Sequence, residues 1–349
     1  MEGAVGTPAS LPAGTRFGSY VLVRPLAAGG MAELYLAARP GPGGAVQLVA
    51  VKRLLPHLGW DPEFVRMFLD EVRIAASLAH PNVVRVIDFG VGEGGHYLAM
   101  EYLHGRNLRA IQRSIREAGP LPLGFAVGTI MEIGAGLHAA HEHRDPEGNA
   151  IEVVHRDVSP SNVIVTFDGR VVLVDFGIAR VTEQTQLTRA GTLKGKVGYM
   201  SPEQCRGDRV DRRSDVFGLG ILLYELTVGR RAFFADNDYA VIGRICDGEY
   251  PRPSEVVPDY PPALEAIVTR ALQVEPEDRH PTAAAMIEEL HRLAVGTGLD
   301  VGPWTRAHEL AARFGVEPPP TVDLAALREQ PRSPRARASA LRWVALAGV

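Results

Sequence analysis

The sequence predicts an α+β fold of two lobes, in which a small antiparallel β-sheet with one main helix precedes a larger, mainly helical lobe. Short runs rich in β-branched residues alternate with glycine- and proline-containing turns between residues 17 and 52, a pattern typical of an antiparallel meander. Beyond Gly105 the apolar residues recur mostly at helical spacing. A chain of 349 residues is long enough to bury a large core and to form more than one lobe.

The first predicted lobe covers residues 17–103 and begins with three strands connected by two turns. A glycine-containing turn at 27–30 joins the first two strands, and a turn with proline and glycine at 40–44 joins the second to the third. Two further strands follow the helix of this lobe. The five predicted strands cover residues 20–23, 33–37, 46–52, 83–89 and 96–101.

The helix of the first lobe is predicted over residues 61–79. Asp61 can cap it and Pro62 suits its first position, where a backbone N–H would have no helical partner. Glu71 lies among the apolar residues that face the core, and a carboxylate on that face requires a partner. The apolar stripe contains Phe64, Phe68, Val72, Ala75 and Ala79.

The second predicted lobe covers residues 104–296 and is built mainly from helices. The helix at 214–228 is apolar around most of its circumference, so we expect it at the centre of this lobe. Residues 1–16 are expected to form a disordered N-terminal tail, and residues 297–349 a C-terminal tail or linker. The predicted helices cover residues 107–118, 121–143, 214–228, 238–247, 261–273 and 282–294.

Composition and charge indicate a soluble globular protein of the reducing cytosol. Apolar residues make up 46% and charged residues 22% of the chain, and the net charge of −4 gives no overall basic field for nucleic acid. Cys205 and Cys246 are the only cysteines, which is too few for a disulfide framework or a cysteine metal cluster.

The two ends of the chain differ in what they predict about membranes. Residues 1–14 lack the basic and apolar regions of a secretory signal, and the sequence contains no run of about 20 apolar residues. Near the other end, arginines precede the apolar residues 343–349. Two interpretations stay open: a membrane segment that begins near Leu341, if the chain continues beyond Val349, or a loose natural C-terminus.

The most informative motif runs from His155 to Asn162 and is followed, after an apolar strand, by Asp175-Phe176-Gly177. It places two carboxylates and a carboxamide at fixed spacing on neighbouring loops. Phosphoryl transfer from a nucleotide uses one aspartate to accept the proton of the attacking hydroxyl, and an aspartate and an asparagine to hold magnesium. Asp157 is therefore the candidate base, and Asn162 and Asp175 are the candidate metal ligands.

A second motif lies in the first lobe, where Val49-Ala50-Val51 leads into Lys52, one of three lysines in the chain. Alone, Lys52 could be a solvated strand end, but Glu71 offers it a matched carboxylate on the inward face of the helix. The glycine turn between residues 26 and 35 joins two strands, unlike a Rossmann or Walker loop, each of which joins a strand to a helix. By itself this turn could be a simple hairpin.

In order and spacing, these motifs resemble those of the bacterial Hanks-type, eukaryotic-like serine/threonine protein kinases over about residues 17–295. The resemblance implies the protein-kinase-like bilobal fold and transfer of the γ-phosphoryl group of ATP to serine or threonine hydroxyls of protein substrates. It also implies Mg²⁺, with Mn²⁺ as an alternative, and control by activation-loop autophosphorylation, with a homodimer as one route. The kinase domain is expected in the cytoplasm of a bacterium, where it takes part in signalling.

The resemblance assigns a role to each matching residue. Lys52, paired with Glu71, contacts the α- and β-phosphates, while Asp157, Asn162 and Asp175 keep the roles given above. The activation segment ends at Ser201-Pro202-Glu203 and carries Thr188 and Thr192 as phosphosite candidates. The nucleotide-binding positions are Leu26, Ala27, Gly29, Leu34, Ala50, Lys52, the gatekeeper Met100, the hinge residues Glu101 and Leu103, the ribose-contact position Asn107, and Ile164.

The resemblance also implies structural roles for five residues. Arg156 would dock a phosphate of the activation segment, and Phe176 would pack against the helix that carries Glu71. Glu203 would form an ion pair with Arg279. Asp215 would accept hydrogen bonds from the backbone of the catalytic loop.

The chain departs from the family pattern at three places. Ala27 and Ala32 replace glycines of the nucleotide loop, Ser159 replaces a lysine beside the γ-phosphate, and Lys196 stands where a threonine is common. We hypothesise that Lys196 substitutes for the missing cation. The departures leave a pseudokinase that acts as a binding module as one alternative. A kinase for small molecules is another, although the complete activation segment argues against it.

Overall fold

The computed structural model describes residues 11–41, 43, 45–92, 95–145, 147–176 and 197–322. These residues form two compact units. Of the described residues, the first unit contains 11–76, 85–103 and 319–322, and the second contains 77–84 and 104–318.

The first unit is a six-stranded antiparallel sheet with one long helix. The spatial strand order is β1-β2-β3-β4-β6-β5. The first four strands therefore lie side by side in chain order, and β6 lies between β4 and β5. Helix α1 spans Pro62–Ser77, and its first turn is capped by the Asp61 carboxylate, which accepts a hydrogen bond from Glu63 N at 2.9 Å. The strands are β1 (Arg16–Phe17), β2 (Tyr20–Ala28), β3 (Ala32–Pro40), β4 (Val46–Leu54), β5 (Val86–Gly92) and β6 (Gly95–Glu101).

One face of this sheet carries an aromatic and aliphatic core. Tyr35 on β3 pairs with Val51 on β4, which pairs with Ala99 on β6, and cross-strand partners project to the same face. These residues are buried with Phe17, Tyr20, Leu22, Ala37, Val49 and Tyr97 in one cluster. Because successive side chains alternate between faces, Ala50 and Lys52 lie on the opposite face.

The second unit contains nine helices and a small three-stranded sheet among the described residues. The sheet has the order β7-β8-β9 and is antiparallel throughout. Its strands are β7 (Gly105–Asn107), β8 (Val163–Thr166) and β9 (Val171–Leu173). The helices are α2 (Leu108–Ala118), α3 (Leu123–His141), α4 (Pro202–Arg206), α5 (Arg212–Val228), α6 (Asp238–Asp247), α7 (Pro253–Val256), α8 (Pro262–Ala271), α9 (Ala283–Thr297) and α10 (Pro303–Phe314).

Helices α3 and α5 form the centre of the second unit and pack against each other. Both are apolar on nearly every side, and Phe125, Ile133, Phe217 and Leu222 are completely buried. The predicted central position of the 214–228 helix is confirmed. Its N-terminus is capped by Asp211, whose side chain accepts from Arg213 N at 2.8 Å.

Helix α3 is also the one described helix whose length and apolar composition would allow it to cross a membrane. About two thirds of its apolar window is buried inside the structure, at 67%. This burial is what the core position of α3 in the second unit requires.

The α+β fold class predicted from the sequence is confirmed, but the expectations for the chain ends need two corrections. Residues 11–16 are ordered, because Gly14 N donates to Leu22 O at 2.8 Å and Leu22 N donates to Thr15 O at 2.9 Å. The expected tail from residue 297 onward contains helix α10. Residues 1–10 and 323–349 lie outside the described part of the chain.

Helix α10 is held by the guanidinium of Arg306, which is only 1% exposed. It donates to the backbone oxygens of Gly169 and Val301, each at 2.7 Å, and to the Glu132 carboxylate at 2.9 Å. A glycine is required at position 169, since its φ is 87° and a Cβ there would lie 1.9 Å from the oxygen of Pro303.

Candidate active site

The first part of the candidate site is an ion pair between strand β4 and helix α1. Lys52 Nζ lies 2.6 Å from Glu71 Oε1, and the two side chains are 15% and 8% exposed. Their predicted pairing is confirmed. A pair with so little exposure is screened weakly by solvent, so it holds the lysine ammonium at a defined place on the sheet.

Four predicted nucleotide-site residues share one face of the first unit's sheet. Lys52 pairs with Leu34 on one side and Leu98 on the other, and Ala50 pairs with Leu36 and Met100. Because cross-strand partners and second neighbours along a strand project to the same face, Leu34, Ala50, Lys52 and Met100 lie together. This face therefore carries an apolar surface together with the Lys52 ammonium.

The glycine turn is a tight hairpin between β2 and β3, as the simpler interpretation of the sequence allowed. Gly29 N donates to Ala32 O at 2.9 Å, and Ala27, which is exposed, pairs with Leu34. Leu26 beside it is half-buried. A Cβ at Gly29 would meet its nearest atom at 3.5 Å, an ordinary contact. The fold therefore leaves room for a side chain at position 29.

The predicted hinge residues end the sheet of the first unit. Glu101 N donates to Arg85 O at 3.0 Å, and Glu101 Oε1 accepts from Arg85 N at 3.0 Å. Leu103 is buried. These two hydrogen bonds hold Glu101, at the end of β6, to Arg85, which directly precedes β5.

The second part of the candidate site is the loop that carries Asp157 and Asn162, both of which are buried. Asn162 Nδ2 donates to the Asp157 backbone oxygen at 3.0 Å and to Asp157 Oδ2 at 2.9 Å. Asn162 O accepts from Val174 N at 2.9 Å, which joins this loop to the residue before Asp175. The sequence thus brings the predicted base and one predicted metal ligand into direct contact.

Asp215, at the start of α5, holds the backbone of this loop. Its two carboxylate oxygens accept from His155 N and Arg156 N, each at 2.8 Å, as predicted. His141 Nε2 lies 2.8 Å from Oδ2 of the same carboxylate. Burial acts to raise the pKa of Asp215, but the contacts with His141 and with the loop hold it below its ordinary value.

Two residues of the candidate catalytic and metal-binding loops have left-handed backbone conformations. Arg156 has a φ of 65°, and Asp175 has a φ of 57°. Such values are uncommon for residues other than glycine and persist where the surroundings fix them. At Arg156 the surroundings are Asp215 on its N–H side and Gln204, whose Nε2 donates to Arg156 O at 2.9 Å.

Phe176 and His155 form a buried aromatic contact in the second unit. Their ring centroids are 4.6 Å apart, and both side chains are almost completely shielded from solvent. Burial lowers the pKa of His155. The buried imidazole therefore serves packing, and the predicted packing of Phe176 against α1 stays a prediction.

Ser159 occupies an enclosed position in the loop. Its side chain is 1% exposed, its Oγ lies 3.1 Å from Ser161 Oγ, and its backbone oxygen accepts from Asn162 N at 3.0 Å. The small hydroxyl is satisfied locally. The residue that departs from the family pattern is thus part of the turn that positions Asn162.

An ion pair predicted between Glu203 and Arg279 is confirmed. The guanidinium makes two 2.8 Å contacts with the carboxylate, and its Nη1 and Nη2 also donate to Arg213 O at 3.0 Å and Val274 O at 2.7 Å. Burial acts to raise the pKa of Glu203, but Arg279 and Ser214 keep it below its ordinary value. This pair fixes helix α4, in which the predicted activation segment ends.

Sequence reasoning missed a second buried carboxylate in the same region. Tyr199 Oη and Gln112 Nε2 each donate to Glu225 Oε2 at 2.8 Å. Burial is the main cause that raises the pKa of Glu225 to about 7. The one available signal was a glutamate inside the apolar α5 pattern, since a buried carboxylate requires partners.

The remaining predicted residues are placed as follows. Asn107 caps α2, where its Oδ1 accepts from Ala110 N at 2.9 Å. Ile164 lies on β8, opposite Asn107 on β7. Gly177, Thr188, Thr192 and Lys196 lie outside the described residues, so the phosphosite and substitute-cation hypotheses stay predictions.

A family model for the protein kinase domain matches residues 20–290. The chain belongs to the protein kinase family. Members of this family use ATP and a divalent metal ion. In the second unit of this kinase, the side-chain oxygens of the predicted ligands Asn162 and Asp175 are of the kind that suits a hard divalent cation. Asn162 uses its amide nitrogen to bind Asp157, so its amide oxygen is the atom that would face a metal ion.

Among curated relatives, the kinase is 44% identical over 304 residues to tyrosine-protein kinase MasK of Myxococcus xanthus. That alignment covers 85% of this chain and 47% of MasK. It is 34% identical over 325 residues to serine/threonine-protein kinase PknH of Mycobacterium tuberculosis, with 92% and 49% covered. The chain spans about half the length of these relatives. A crystal structure of the Mycobacterium tuberculosis PknI kinase domain matches with a TM-score of 0.62 at 29% identity, with 82% and 100% covered.

Proposed function

We propose that this protein is an active protein kinase that transfers the γ-phosphoryl group of ATP to serine and threonine hydroxyls of proteins. The observation that carries the proposal is the buried Asp157 carboxylate, held by Asn162 Nδ2 at 2.9 Å on a loop that Asp215 fixes through its backbone. A general base must be oriented before it can accept a proton, and this loop provides the orientation.

Each unit supplies one part of the proposed chemistry. In the second unit Asp157 accepts the proton of the attacking hydroxyl, and its buried position keeps the carboxylate directed by Asn162. In the first unit the Lys52 ammonium binds nucleotide phosphate oxygens, and Glu71 holds that ammonium in place. Removal of a group that stabilises developing charge typically costs about 10²–10³-fold in turnover.

We assign the metal to Mg²⁺, with Mn²⁺ as a substitute, and its ligands to Asn162 and Asp175. Carboxylate and amide oxygens are the ligands that Mg²⁺ prefers. When bound, the ion neutralises charge on the phosphates of ATP. Leu34, Ala50 and Met100 form the apolar surface of the first unit against which we place the adenine, with Leu26, Ala27 and Gly29 beside them.

The acceptor class has a second candidate, tyrosine. MasK, at 44% identity, is named as a tyrosine-protein kinase, whereas PknH and other relatives at 34–36% identity are named as serine/threonine kinases. Ser159 bears on this choice, because the small residue replaces a lysine near the acceptor in the serine/threonine pattern. We propose serine and threonine as the main acceptors and treat tyrosine as the alternative.

The test is incubation of the protein with labelled ATP and Mg²⁺, followed by phosphosite mapping. We expect phosphate on serine or threonine, including Thr188 or Thr192, and an Asp157→Asn variant that folds but incorporates at least about 10²-fold less phosphate. Phosphotyrosine alone would replace the proposed acceptor class. Nucleotide binding without any transfer by the native chain would favour the pseudokinase alternative.

Regulation and location form the last part of the proposal. We propose that autophosphorylation occurs between two copies of the chain, so its initial rate should rise with the square of protein concentration where the chain is mainly monomeric. A first-order dependence in a sample shown to be monomeric would contradict phosphorylation between two copies. The kinase domain is placed in the cytoplasm, and a membrane segment near Leu341 applies only if the chain continues beyond Val349.

A further inference from the structure

The fold brings together the only two cysteines of the chain. Cys205 lies on α4 and Cys246 lies near the end of α6, and these two helices pack against each other. Cys246 lies close enough to Cys205 to raise the pKa of its thiol. In addition, Arg206 Nη2 donates to the Cys246 backbone oxygen at 2.9 Å, so a second contact holds the same two segments in register.

Both sulfur-bearing side chains are half-buried. A small oxidant therefore has access to them, while neighbouring side chains restrict their motion. Neither cysteine belongs to the set of residues to which we assign phosphoryl transfer. In a reducing cytosol, cysteine pairs that become oxidised are usually transient and respond to redox conditions.

We propose that Cys205 and Cys246 form a reversible intrachain disulfide when the protein meets a hydroperoxide. Cys246 sulfur first attacks the peroxide O–O bond, which yields a cysteine sulfenic acid and, after protonation, one water. Cys205 sulfur then displaces the hydroxyl of that sulfenic acid, and the two protons are released in a second water. The two thiols lose two electrons and two protons, and hydrogen peroxide is reduced to two waters.

The order of the two steps follows from the surroundings of Cys205. Burial, together with the neighbouring Cys246, raises the pKa of Cys205 to about 12. Since the thiolate is the form that attacks peroxide, Cys205 is a poor first nucleophile. The resolving attack also uses the Cys205 thiolate, but it takes place within one chain, and the high effective concentration of a neighbouring group offsets the small thiolate fraction.

The disulfide would join two segments that differ in their neighbours. Helix α4 is fixed by the Glu203–Arg279 ion pair, and α6 also packs against the turn at Val197–Tyr199. A disulfide between them restricts the conformations of the unfolded chain, and a restriction of this kind raises the free energy of unfolding. This inference rests on the fold of the second unit and not on the proposed kinase activity.

The test starts from the fully reduced chain, which is exposed to a small excess of hydrogen peroxide and then to N-ethylmaleimide. Trypsin releases Cys205 within residues 197–206, and Cys246 within residues 245–270 because Pro253 blocks cleavage after Arg252. We expect these two fragments to be joined, with the loss of two hydrogens, and to be separated by dithiothreitol. Independent alkylation of both cysteines, oxidation of each to sulfinic acid, or a link between two chains would overturn the proposal.

Two single variants test the order and the structural effect. Cys205→Ser should stop at a Cys246 sulfenic acid that dimedone traps, whereas Cys246→Ser should leave the Cys205 thiol largely unreacted. Equal trapping at Cys205 would refute the proposed order. Oxidation should raise the thermal midpoint of the native chain and leave that of either variant unchanged, and an equal shift in the variants would assign the effect to other residues.

Discussion

The candidate site residues of the first unit and those of the second unit are held in different ways. In the first unit, Lys52 is positioned by a carboxylate on a neighbouring helix, through a side-chain ion pair of 2.6 Å. In the second unit, Asp157 is positioned through its backbone, because Asp215 and Gln204 bind the peptide groups on either side of Arg156. A movement of α1 could therefore disturb Lys52 without unfolding the sheet, whereas Asp157 cannot move without breaking buried hydrogen bonds.

Lys52 can therefore change position with its partner helix, whereas Asp157 is fixed by the backbone of its loop. Backbone-held groups should be costly to alter in stability, and the side-chain-held group should be costly mainly in activity. Four substitutions test this comparison through the free energy of unfolding, from the largest expected effect to the smallest.

The largest effect is expected for Asp215→Asn. The amide nitrogen would face backbone N–H donors that now bind carboxylate oxygens, so buried donors would lose their partner. We expect the free energy of unfolding to fall by about 3–5 kcal/mol, with a parallel loss of phosphate transfer. Urea unfolding is the measurement, and Asp236→Asn, at an exposed aspartate, is the matched control. Equal stability of the two variants would contradict the anchoring role.

The next effect depends on pH and concerns Glu225. Its pKa is raised from 4.5 to about 7, so the folded protein binds more protons than the unfolded chain between those values. The unfolding free energy should fall as pH rises from about 4.5 to 7, by roughly 2–3 kcal/mol from this group. Glu225→Gln should flatten that slope, as measured by urea unfolding across this pH range. An unchanged slope in the variant would show that Glu225 does not carry the shift.

Lys52→Met should reduce stability less than Asp215→Asn does, and its main effect should be on activity. Lys52 and Glu71 are 15% and 8% exposed, whereas Asp215 is 1% exposed, so we expect a smaller loss of about 1–2 kcal/mol in unfolding free energy. Phosphate incorporation should fall by at least about 10²-fold, since the charge that binds the phosphates is gone. Glu71→Gln retains a hydrogen-bond acceptor and should lie between the native chain and Lys52→Met in a labelled-ATP assay. A stability loss as large as that of Asp215→Asn would remove the contrast between the units.

The smallest effect is expected for Ala27→Gly in the exposed hairpin. Stability should change by under about 1 kcal/mol, which is the backbone-entropy effect of a glycine. If the alanine restricts approach to the phosphates, the KM for ATP should fall. Ala28→Gly is the matched control, because Ala28 is also exposed and is adjacent on the same strand. The same change in KM for both variants would contradict a specific role for position 27.

The sequence predicted most of the fold and the paired residues of the site because both follow from local patterns. The helix over 61–79 and the Lys52–Glu71 pair arise from periodicity and from the need of an inward carboxylate for a partner. The buried helix over 214–228 was found by its continuous apolar surface.

Other features escaped prediction because they depend on distant contacts. The contact of His141 with Asp215, and that of Gln204 with the Arg156 carbonyl, join residues whose local sequence carries no sign of the partner. Short elements such as α4 and α7 have too few residues for a periodic signal. Helix α10 was missed because it lies within residues 297–349, which were interpreted as a tail or linker.

Helix α10 has a practical consequence for anyone who shortens this chain for expression. The family match ends at residue 290, inside α9, and a cut there or at 296 would delete Arg306. Gly124 and Gly128 on α3 would then lose the backbone of residues 300–301 that fits against them, since a Cβ at either position would come within 2.4 Å of it. A truncation after Gly315 keeps residues 300–301 packed against α3. It should give a more soluble and more stable protein than a truncation at residue 290 or 296.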